Sequence, residues 1–418
     1  MPLSLLLTLF VMCGIATAII DTNSRHFLIS DSALQQEETH NADLDLDPSP
    51  TSSMLEKENR KRPRQTECDE WDYRNSVLKL VQEAPFAGLF RDVKNMTKFE
   101  ASGVAAVRGE FFVVFDSAMS LGLVTDSFSF RGKHHRLIGD PGPESQFEGI
   151  AYVPENDTFL LLHEALPPQN WVRDGKGKQE NRRSFDPYKP WITTAKINKD
   201  KTNYTVEALC AVDFELTHEN KGFESILYLH TLNDDGPYLL GLCEGNYCVG
   251  GSKGREKGNG RVVVSKLEWS EDGGCLWVPV KTINIPPSAF FQDYSAMALD
   301  HATGKIAVLS QEDAAVWISD FDIDAVEFAS QEGVVYHMPR DNHCEMVYCN
   351  VEGVQWLDSY RLLITSDRAK SFQPFWCSAH DQSIHIMALP TGWKPYNKIE
   401  DTVAASRAAK VAAEGMDV

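Results

Sequence analysis

The sequence predicts an all-β protein, a single β-propeller of five four-stranded blades, with six blades as the alternative. Two observations lead to this prediction. From Cys68 onward, short β-branched and aromatic runs alternate with turn residues, which is typical of all-β folds. Within this region, five segments repeat one design. A four-stranded sheet that is repeated and closed into a ring protects its edges in the way that propellers do.

Each repeat begins with a polar residue and a small residue, followed by an apolar strand. The five segments are Ser102-Gly-Val-Ala-Ala-Val107, Glu148-Gly-Ile-Ala-Tyr-Val153, Glu224-Ser-Ile-Leu-Tyr-Leu229, Ser295-Ala-Met-Ala-Leu299 and Glu352-Gly-Val-Gln-Trp-Leu357. Where serine takes the first place, an acid lies two residues earlier, at Glu100 and Asp293. The fifth repeat lacks a fourth strand, so the N-terminal run Ser76–Val81 is predicted to supply it and to close the last blade.

A second apolar strand follows each segment and ends in another acid. The start of the first strand and the end of the second lie side by side in an antiparallel hairpin. The predicted pairs are Glu148 with Glu164, Glu224 with Glu244, Glu352 with Asp367, Glu100 with Asp116, and Asp293 with Glu312. Because first strands are innermost in a propeller, the pairs should gather at one mouth of the central channel. Ca²⁺ takes about six to eight oxygen ligands, so these acids predict a Ca²⁺ site. The alternative is that they accept backbone N–H groups between blades.

The loops that follow the second strands carry basic residues, and these loops should lie on the same face as the acids. The basic residues are predicted to bind an anionic ligand, since the arginine fork suits phosphate. The candidates are Arg173, Arg182, Arg183, Arg368 and Lys370. Solvated loops that balance local charge are the alternative. The net charge of −20 and the pI near 5.0 argue against nucleic acid as a partner, because phosphate backbones demand a basic surface.

The N-terminal segment predicts secretion. An apolar run, Leu3–Met12, precedes Ala16-Thr-Ala18, which is the pattern of a signal peptide over 1–18. A retained membrane anchor is the alternative. Residues 19–66 are predicted to be a disordered acidic leader, 67–395 the propeller and 396–418 an Ala-rich tail. The secreted protein is expected to be a monomer that does not contact a membrane after the signal is cleaved.

An even number of cysteines behind a signal peptide predicts disulfides. The eight are Cys68, Cys210, Cys243, Cys248, Cys275, Cys344, Cys349 and Cys377. Cys243 with Cys248, and Cys344 with Cys349, are close enough in sequence to close local loops, and zinc binding is the other interpretation of such pairs. Glycosylation sequons, which are also typical of secreted proteins, occur at Asn95, Asn156 and Asn203.

Three strings resemble those that open blades in the phytase-like (esterase-like phytase) and SdiA-regulated propeller families. They are Ala101-Ser-Gly-Val-Ala105, Phe147-Glu-Gly-Ile-Ala-Tyr152 and Val351-Glu-Gly-Val354. The resemblance implies phosphatase or esterase activity, and related propellers usually have six blades. The first functional hypothesis is a Ca²⁺-dependent phosphoesterase that acts on an anionic phosphate ester at the mouth. The alternative is a non-catalytic extracellular module that binds a protein, a glycan or an anionic ligand. The sequence leaves open whether the protein is an enzyme.

Overall fold

Short strands make up almost all of the regular structure in this computed structural model. It describes residues 76–91, 93, 96, 98–130, 134–142, 144–166, 188–216, 222–231, 236–244, 248, 256–271 and 273–390. These residues all fall within one compact unit, Lys61–Val418. The predicted signal peptide, leader and tail lie outside them. No helix in the described ranges is long and apolar enough to cross a membrane.

The strands are numbered in chain order. They are β1 (Lys79–Pro85), β2 (Ala101–Val107), β3 (Glu110–Phe115), β4 (Ala118–Thr125), β5 (Arg136–Ile138), β6 (Phe147–Val153), β7 (Thr158–Leu166), β8 (Lys189–Ile197), β9 (Tyr204–Val212), β10 (Phe223–His230), β11 (Pro237–Cys243), β12 (Arg261–Trp269), β13 (Cys275–Asn284), β14 (Ala296–Asp300), β15 (Lys305–Ser310), β16 (Ala315–Asp322), β17 (Glu327–Phe328), β18 (Val334–His337), β19 (Val351–Asp358), β20 (Arg361–Ser366) and β21 (Ser383–Ala388). A short helix, α1 (Phe86–Leu89), follows β1, and a 3-10 helix covers Phe375–Ala379.

The strands form four hydrogen-bonded sheets. Their orders are β2-β3-β4-β5, then β14-β15-β16 with β17 and β18 both on β16, then β1-β21-β20-β19, and an eight-stranded sheet, β10-β11-β12-β13-β9-β8-β7-β6. The eight-stranded sheet consists of two antiparallel groups, β6–β9 and β10–β13. A short parallel pairing joins them, with Leu276 opposite Ala211 and Trp277 opposite Val212. The sheets are antiparallel elsewhere, as the predicted hairpins require, apart from an isolated parallel bridge between Val77 and His337.

The strand that opens each repeat packs against the opening strands of its neighbours. We call β2, β6, β10, β14 and β19 the first strands. A Cβ atom on Gly103 of β2 would lie 3.1 Å from the Cα atom of Gly149, and one on Gly149 of β6 would lie 3.1 Å from the backbone nitrogen of Ile226. A Cβ on Gly353 of β19 would lie 3.3 Å from the Cα atom of Gly103. Any larger side chain at these points would push the first strands apart.

Serine hydroxyls join the remaining first strands. The backbone N–H of Met297 in β14 donates to Ser225 Oγ in β10 over 3.3 Å. Ser295 Oγ, at the start of β14, donates to the carbonyl oxygen of Val351 in β19 over 3.0 Å. The first strands therefore follow one another around a central channel in the order β2, β6, β10, β14, β19 and back to β2.

The apolar core lies between neighbouring sheets. The second strands of the hairpins, β3, β7, β11, β15 and β20, are buried on both faces, which explains why their sequences are continuous apolar runs and do not alternate. The rings of Phe112 and Phe159, from two adjacent sheets, lie 4.7 Å apart between centroids. Packing of this kind fixes each hairpin relative to the next.

The N-terminal strand pairs at the edge of the last sheet, as predicted, although its bounds differ. β1 runs antiparallel to β21 over Lys79–Pro85 and not over Ser76–Val81. Glu83 lies opposite His385 in this ladder, and its Oε2 accepts hydrogen bonds from Nδ1 of His385 (2.9 Å) and of His380 (2.8 Å). Burial alone would raise the pKa of Glu83, but the two histidine hydrogen bonds lower it to about 2. The ionised carboxylate of Glu83 therefore attaches strand β1 to β21 and to the loop that precedes it.

Three disulfides connect described cysteines. Cys210–Cys275 crosses the junction between β9 and β13, and Cys243–Cys248 closes a local loop, as predicted. The prediction that Cys344 pairs with Cys349 is wrong, because Cys349 bonds Cys377. The antiparallel fold brings the loop between β20 and β21 beside the start of β19, a contact that sequence spacing does not reveal. Cys344 is also disulfide-bonded, and Cys68 lies outside the described residues.

We expect the disulfides Cys210–Cys275 and Cys243–Cys248 to contribute unequally to stability, because they close loops of different length. Cys210–Cys275 closes a separation of 65 residues and Cys243–Cys248 a separation of 5. Because loop-closure entropy grows with loop length, the Cys210→Ala/Cys275→Ala variant should lose about 4 kcal/mol of unfolding free energy, and Cys243→Ala/Cys248→Ala about 2 kcal/mol. Urea unfolding of both double variants measures this, and an equal loss in the two would contradict it.

We also expect Glu83 to make stability depend on pH in acid. A carboxylate whose folded pKa lies near 2, below its usual 4.5, stabilises the fold above pH 4.5 and loses that effect as pH falls toward 2. At pH 6 Glu83→Gln should therefore cost about 3 kcal/mol, and the difference from the wild type should shrink toward pH 2. Glu207→Gln, on the exposed side of β9, serves as the control. A constant difference across this pH range would show that Glu83 acts by packing alone.

Candidate functional site

Four of the five hairpins carry a β-bulge at the same place, just inside the start of the first strand. Register shifts occur between Ala101 and Gly103, Phe147 and Gly149, Phe223 and Ser225, and Val351 and Gly353. The residues inside the bulges are Ser102, Glu148, Glu224 and Glu352. A bulge leaves one residue out of the ladder and redirects its side chain. All four bulged residues line a cavity at the mouth of the channel.

This cavity, which we call the acidic cavity, has a volume of about 360 Å³. Its lining is dominated by carboxylates. The lining residues are Ser102, Asp116, Glu144, Gln146, Glu148, Glu164, Glu224, Glu244, Gln311, Glu352, Asp367 and Lys370. Seven of the ten acids predicted from the sequence are therefore brought together: Asp116, Glu148, Glu164, Glu224, Glu244, Glu352 and Asp367.

A backbone hydrogen bond repeats beside the acids that end the second strands. The N–H of Asp116 donates to the carbonyl oxygen of Glu100 over 2.8 Å, and that of Asp367 donates to Asn350 over 2.8 Å. The N–H of Glu244 donates to Gly222 over 3.1 Å. Each of these acids is thus held next to the residue two positions before the bulged residue of its own hairpin. This is the side-by-side arrangement that the hairpin geometry predicts.

Three predicted acids do not line the acidic cavity. Glu100 lies two residues before the position that the β2 bulge redirects, which Ser102 takes, whereas Asp293 belongs to the β14–β15 hairpin, whose described register has no bulge. Asp293 instead caps a turn: its carboxylate accepts from Ser310 Oγ and from the backbone N–H groups of Gln311 and Glu312. Glu312 itself is exposed. Asp293 therefore accepts backbone N–H groups, as the alternative expected, but from its own hairpin and not between blades.

Among the described residues, three glutamates form a group that could hold one metal ion. One carboxylate oxygen each of Glu164, Glu224 and Glu244 lies within 4.8 Å of the others. Glu164 is buried, with 8% of its surface exposed, and it accepts from the backbone N–H of Gly222 over 3.2 Å. A side chain at position 222 would collide with the carbonyl oxygen of Glu164 at 2.6 Å. Glycine at 222 therefore lets β7 and the start of β10 approach closely enough to bring these carboxylates together.

Burial and mutual repulsion both act on the bulged acids. Burial raises the pKa of Glu224 well above its usual range, and the charges of Glu244 and Glu164 raise it further. Burial also raises the pKa of Glu148, with repulsion from Glu352 and Glu164 in addition. These groups therefore resist ionisation together unless a positive charge is present.

The acids on the other side of the cavity are perturbed in the same direction. Burial raises the pKa of Asp367 to about 7. Burial and the charge of Asp367 raise the pKa of Glu352 well above its usual range, while the ammonium group of Lys370 opposes the rise. Burial and the nearby charge of Glu100 raise the pKa of Asp116. Lys370 is the basic residue among the described cavity residues.

Amide side chains hold the rim of the cavity beside Lys370. Gln311 Nε2 donates to Glu352 Oε1 over 2.9 Å and to Asn350 Oδ1 over 3.2 Å. Gln373 Nε2 donates to the same Asn350 oxygen over 2.9 Å, and Gln373 Oε1 accepts from the backbone N–H of Lys370. Sequence reasoning missed this network, because amides carry no charge pattern that would single them out.

Other cavity residues were also absent from the sequence prediction. Ser102, Glu144 and Gln146 line the cavity. Ser102 could have been recognised as the positional equivalent of Glu148 in the repeat. Gln146 precedes β6 with a positive φ of 58°, a backbone conformation that no sequence signal indicates here. The loop before β6 therefore contributes Glu144 and Gln146 to the cavity lining.

The predicted anion-binding residues divide into two groups. Lys370 lines the cavity, whereas the Arg368 side chain is exposed and not part of the lining. Arg173, Arg182 and Arg183 lie outside the described residues. Of the sequons, Asn156 and Asn203 are exposed in turns at the ends of strands opposite to the acidic cavity, and Asn95 lies outside the described residues.

Comparison of the sequence with known proteins identifies no family. No family model matches the sequence, and no curated protein matches it. Solved structures that are similar in shape include β-propeller proteins. The resemblance to the phytase-like family stays a prediction.

The similar solved structures are remote. The PQQ-bound aldose sugar dehydrogenase from Streptomyces coelicolor is 11% identical, with 75% of this chain and 98% of that chain covered and a TM-score of 0.41. Streptogramin B lyase is 8% identical, with 74% and 97% covered and a TM-score of 0.34. The Dos1 propeller is 6% identical, with 64% and 53% covered and a TM-score of 0.31.

Proposed function

We propose that this chain is an extracellular five-bladed β-propeller that binds Ca²⁺ in its acidic cavity and hydrolyses an anionic phosphate ester there. The observation that carries the proposal is the group formed by Glu164, Glu224 and Glu244, whose carboxylate oxygens lie within 4.8 Å of one another. Two ligands on opposite sides of a Ca²⁺ ion are also about 4.8 Å apart, because each lies about 2.4 Å from the ion. The spacing and the hard oxygen donors both fit this cation.

Electrostatics supports a bound cation independently of spacing. The acidic cavity contains seven of the predicted carboxylates, together with Glu144, and one described ammonium group, that of Lys370. Burial and mutual repulsion raise the pKa values of Glu148, Glu224 and Glu352. A divalent cation would remove this repulsion and let the carboxylates remain charged at neutral pH.

An anionic ligand would enter a mouth that already contains a cation and Lys370. Bound Ca²⁺ would polarise a phosphoryl oxygen and a coordinated water, which is the chemistry that such an ion supplies. Lys370 would contact the phosphate, and Gln373 and Asn350 would hold the Lys370 backbone in place. A bound cation would lower the pKa of Asp367 from about 7, so this carboxylate would be ionised at neutral pH and available to accept a proton.

The fold and the location in the proposal rest on separate observations. Five first strands that follow one another around the channel support five blades, although two of the sheets share hydrogen bonds through β9 and β13. Disulfides such as Cys210–Cys275 and the exposed sequons at Asn156 and Asn203 support an oxidising, extracellular environment.

A non-catalytic binding module is the second candidate, and one observation favours it. Glu164 and Glu244 are both hydrogen-bonded to Gly222, so the three-glutamate group joins β7 to β10. A cation in that position would connect two neighbouring repeats and could be purely structural. In that case the mouth would bind an anionic or glycan ligand without turning it over.

We expect Ca²⁺ to stabilise the protein through the three-glutamate group. At a Ca²⁺ concentration 100-fold above its Kd, the wild type should gain about 2.7 kcal/mol, visible as a higher Tm. Glu224→Gln/Glu244→Gln should abolish this gain. In chelator, the same variant should melt no lower than the wild type, because it buries fewer repelling charges.

Glu312→Gln is the matched control for the Ca²⁺ experiment. Glu312 was also predicted as a ligand, but it is exposed and does not line the acidic cavity. Its substitution should leave the Ca²⁺-dependent rise in Tm unchanged. A wild-type Tm that is indifferent to millimolar Ca²⁺, or a full response in the double glutamine variant, would contradict the proposed ion site.

We expect hydrolysis of phosphate monoesters that requires Ca²⁺ and Lys370. Release of inorganic phosphate should fall to background in chelator and recover when Ca²⁺ is restored. Lys370→Gln should raise KM about tenfold, which is the lower end of what a charge-assisted hydrogen bond contributes.

Arg368→Gln is the control, since Arg368 has the same charge, lies two residues away and points outside the cavity. Its KM should match that of the wild type. Ca²⁺ stabilisation without phosphate release from any monoester would eliminate the hydrolase and leave the binding module. Equal effects of the two substitutions would eliminate Lys370 as the anion contact.

A further inference from the structure

A second concave surface shares no lining residue with the acidic cavity. It is built by the loop between β18 and β19 and by the loop between β20 and β21. These loops adjoin the strand ends that carry Glu352 and Asp367. The surface, which we call the aromatic groove, has a volume of about 540 Å³ and includes Leu80, Val347, Tyr348, Phe375, Trp376 and His380.

The aromatic groove exposes apolar surface on a rigid support. Phe375 is 84% exposed, and its ring lies 5.3 Å from that of Trp376 in an edge-on arrangement. The disulfide Cys349–Cys377 ties this segment to the residue that follows Tyr348. This large aromatic side chain is exposed to water on a cross-linked support. Covering it with another apolar surface lowers the free energy.

Glu83 fixes the orientation of the His380 imidazole, the polar ring in this groove. An ionised carboxylate only accepts hydrogen bonds, and the pKa of Glu83 is about 2. Because Oε2 of Glu83 lies 2.8 Å from Nδ1 of His380, that nitrogen carries the hydrogen. Tyr348 stacks on the His380 ring at 4.2 Å between centroids, which prevents the ring from turning. In the neutral ring, Nε2 is then an acceptor with a fixed direction.

His385 shows what the second nitrogen does when a partner is available. Its Nδ1 also donates to Glu83, over 2.9 Å, and its Nε2 lies 2.8 Å from the hydroxyl of Ser366, which donates to it. His385 is fully buried and both of its nitrogens are bonded. His380, by contrast, has Glu83 as its hydrogen-bond partner among the described residues and lines the groove with 24% of its side chain exposed. Its Nε2 is left for a ligand.

We propose that the aromatic groove binds aromatic alcohols of the phenol class, with the ligand hydroxyl donating to Nε2 of His380 and the ring packing against Phe375 and Trp376. A neutral imidazole nitrogen with a lone pair requires a donor, so an O–H group fits it and a carboxylate or phosphate oxygen does not. Most of the remaining lining is apolar or aromatic, apart from Arg340, Asp341 and Ser378, so a ring suits it. Both requirements are met by one small molecule, and neither involves the acidic cavity or its proposed cation.

Calorimetric titration of the full chain with two matched probes tests this assignment. The probes are 1-naphthol and 1-methoxynaphthalene, which share the ring but differ in the hydrogen that the ligand donates. The wild type should bind 1-naphthol at one site and bind the methoxy compound about fivefold more weakly, the effect of one neutral hydrogen bond. This comparison uses only the wild-type protein, so it does not depend on whether any variant folds.

Three variants assign the binding to the groove. His380→Phe keeps a ring against Tyr348 but removes the acceptor, so 1-naphthol should bind as weakly as the methoxy probe, whose own affinity should be unchanged. Phe375→Ala should weaken both probes at least about fivefold, because both lose ring contact. Phe372→Ala is the matched control: Phe372 is 83% exposed, lies in the same loop and does not line the groove.

Thermal melting of each variant establishes that it is folded before it is titrated. No saturable binding of 1-naphthol to the wild type overturns the proposal, as does equal affinity for the two probes. Binding that responds to Phe372→Ala as strongly as to Phe375→Ala would also overturn it, since the ring contact would then be nonspecific. The titration is run in chelator, so that failure of the Ca²⁺ proposal leaves this result unaffected.

Discussion

The close approach of the first strands around the channel is the constraint on which the rest of the structure depends. At Gly149, an added Cβ would lie 3.1 Å from the backbone of β10, so the position accepts only the smallest side chains. The residue just before each such small position is pushed out of the ladder into a bulge. In three repeats that residue is a glutamate: Glu148, Glu224 and Glu352. The acidic cavity is thus a consequence of how tightly the strands pack.

The packing that brings these carboxylates together also raises the free-energy cost of ionising them. Burial raises the pKa of Glu148, Glu224 and Glu352, and each of them is repelled by further acids in the same cavity. One described ammonium group, that of Lys370, offsets only part of this. A fold that needed the glutamates only as hydrogen-bond acceptors would resemble Asp293, whose carboxylate is bonded to a hydroxyl and two backbone N–H groups. The bulged glutamates face the cavity instead, which is the arrangement that a cation stabilises.

Sequence patterns predicted the parts of this structure that follow from repetition and hairpin geometry. The strands and most of the acid pairs could be predicted because each depends on residues close in sequence. The bulges could not be predicted, since a register shift of one residue leaves no mark on the pattern, and Glu100 was therefore placed in the cavity that Ser102 lines. Asp293 was misplaced for a different reason: its carboxylate accepts hydrogen bonds from the turn that follows β15 and does not line the cavity. The Cys349–Cys377 bond was missed for a related reason, because it depends on which loops the closed ring brings together.

The end of β20 connects the two surfaces proposed here. Successive side chains of a strand point to opposite sides, so Asp367 faces the acidic cavity while Ser366 points into the sheet and donates to His385. From His385 the hydrogen bonds continue through Glu83 to His380 at the aromatic groove. Each link is directional, because an ionised carboxylate can only accept and therefore sets the tautomer of both histidines. The groove histidine and a cavity carboxylate are thus oriented by the same edge of the sheet, where the N-terminal strand β1 completes the hydrogen bonding.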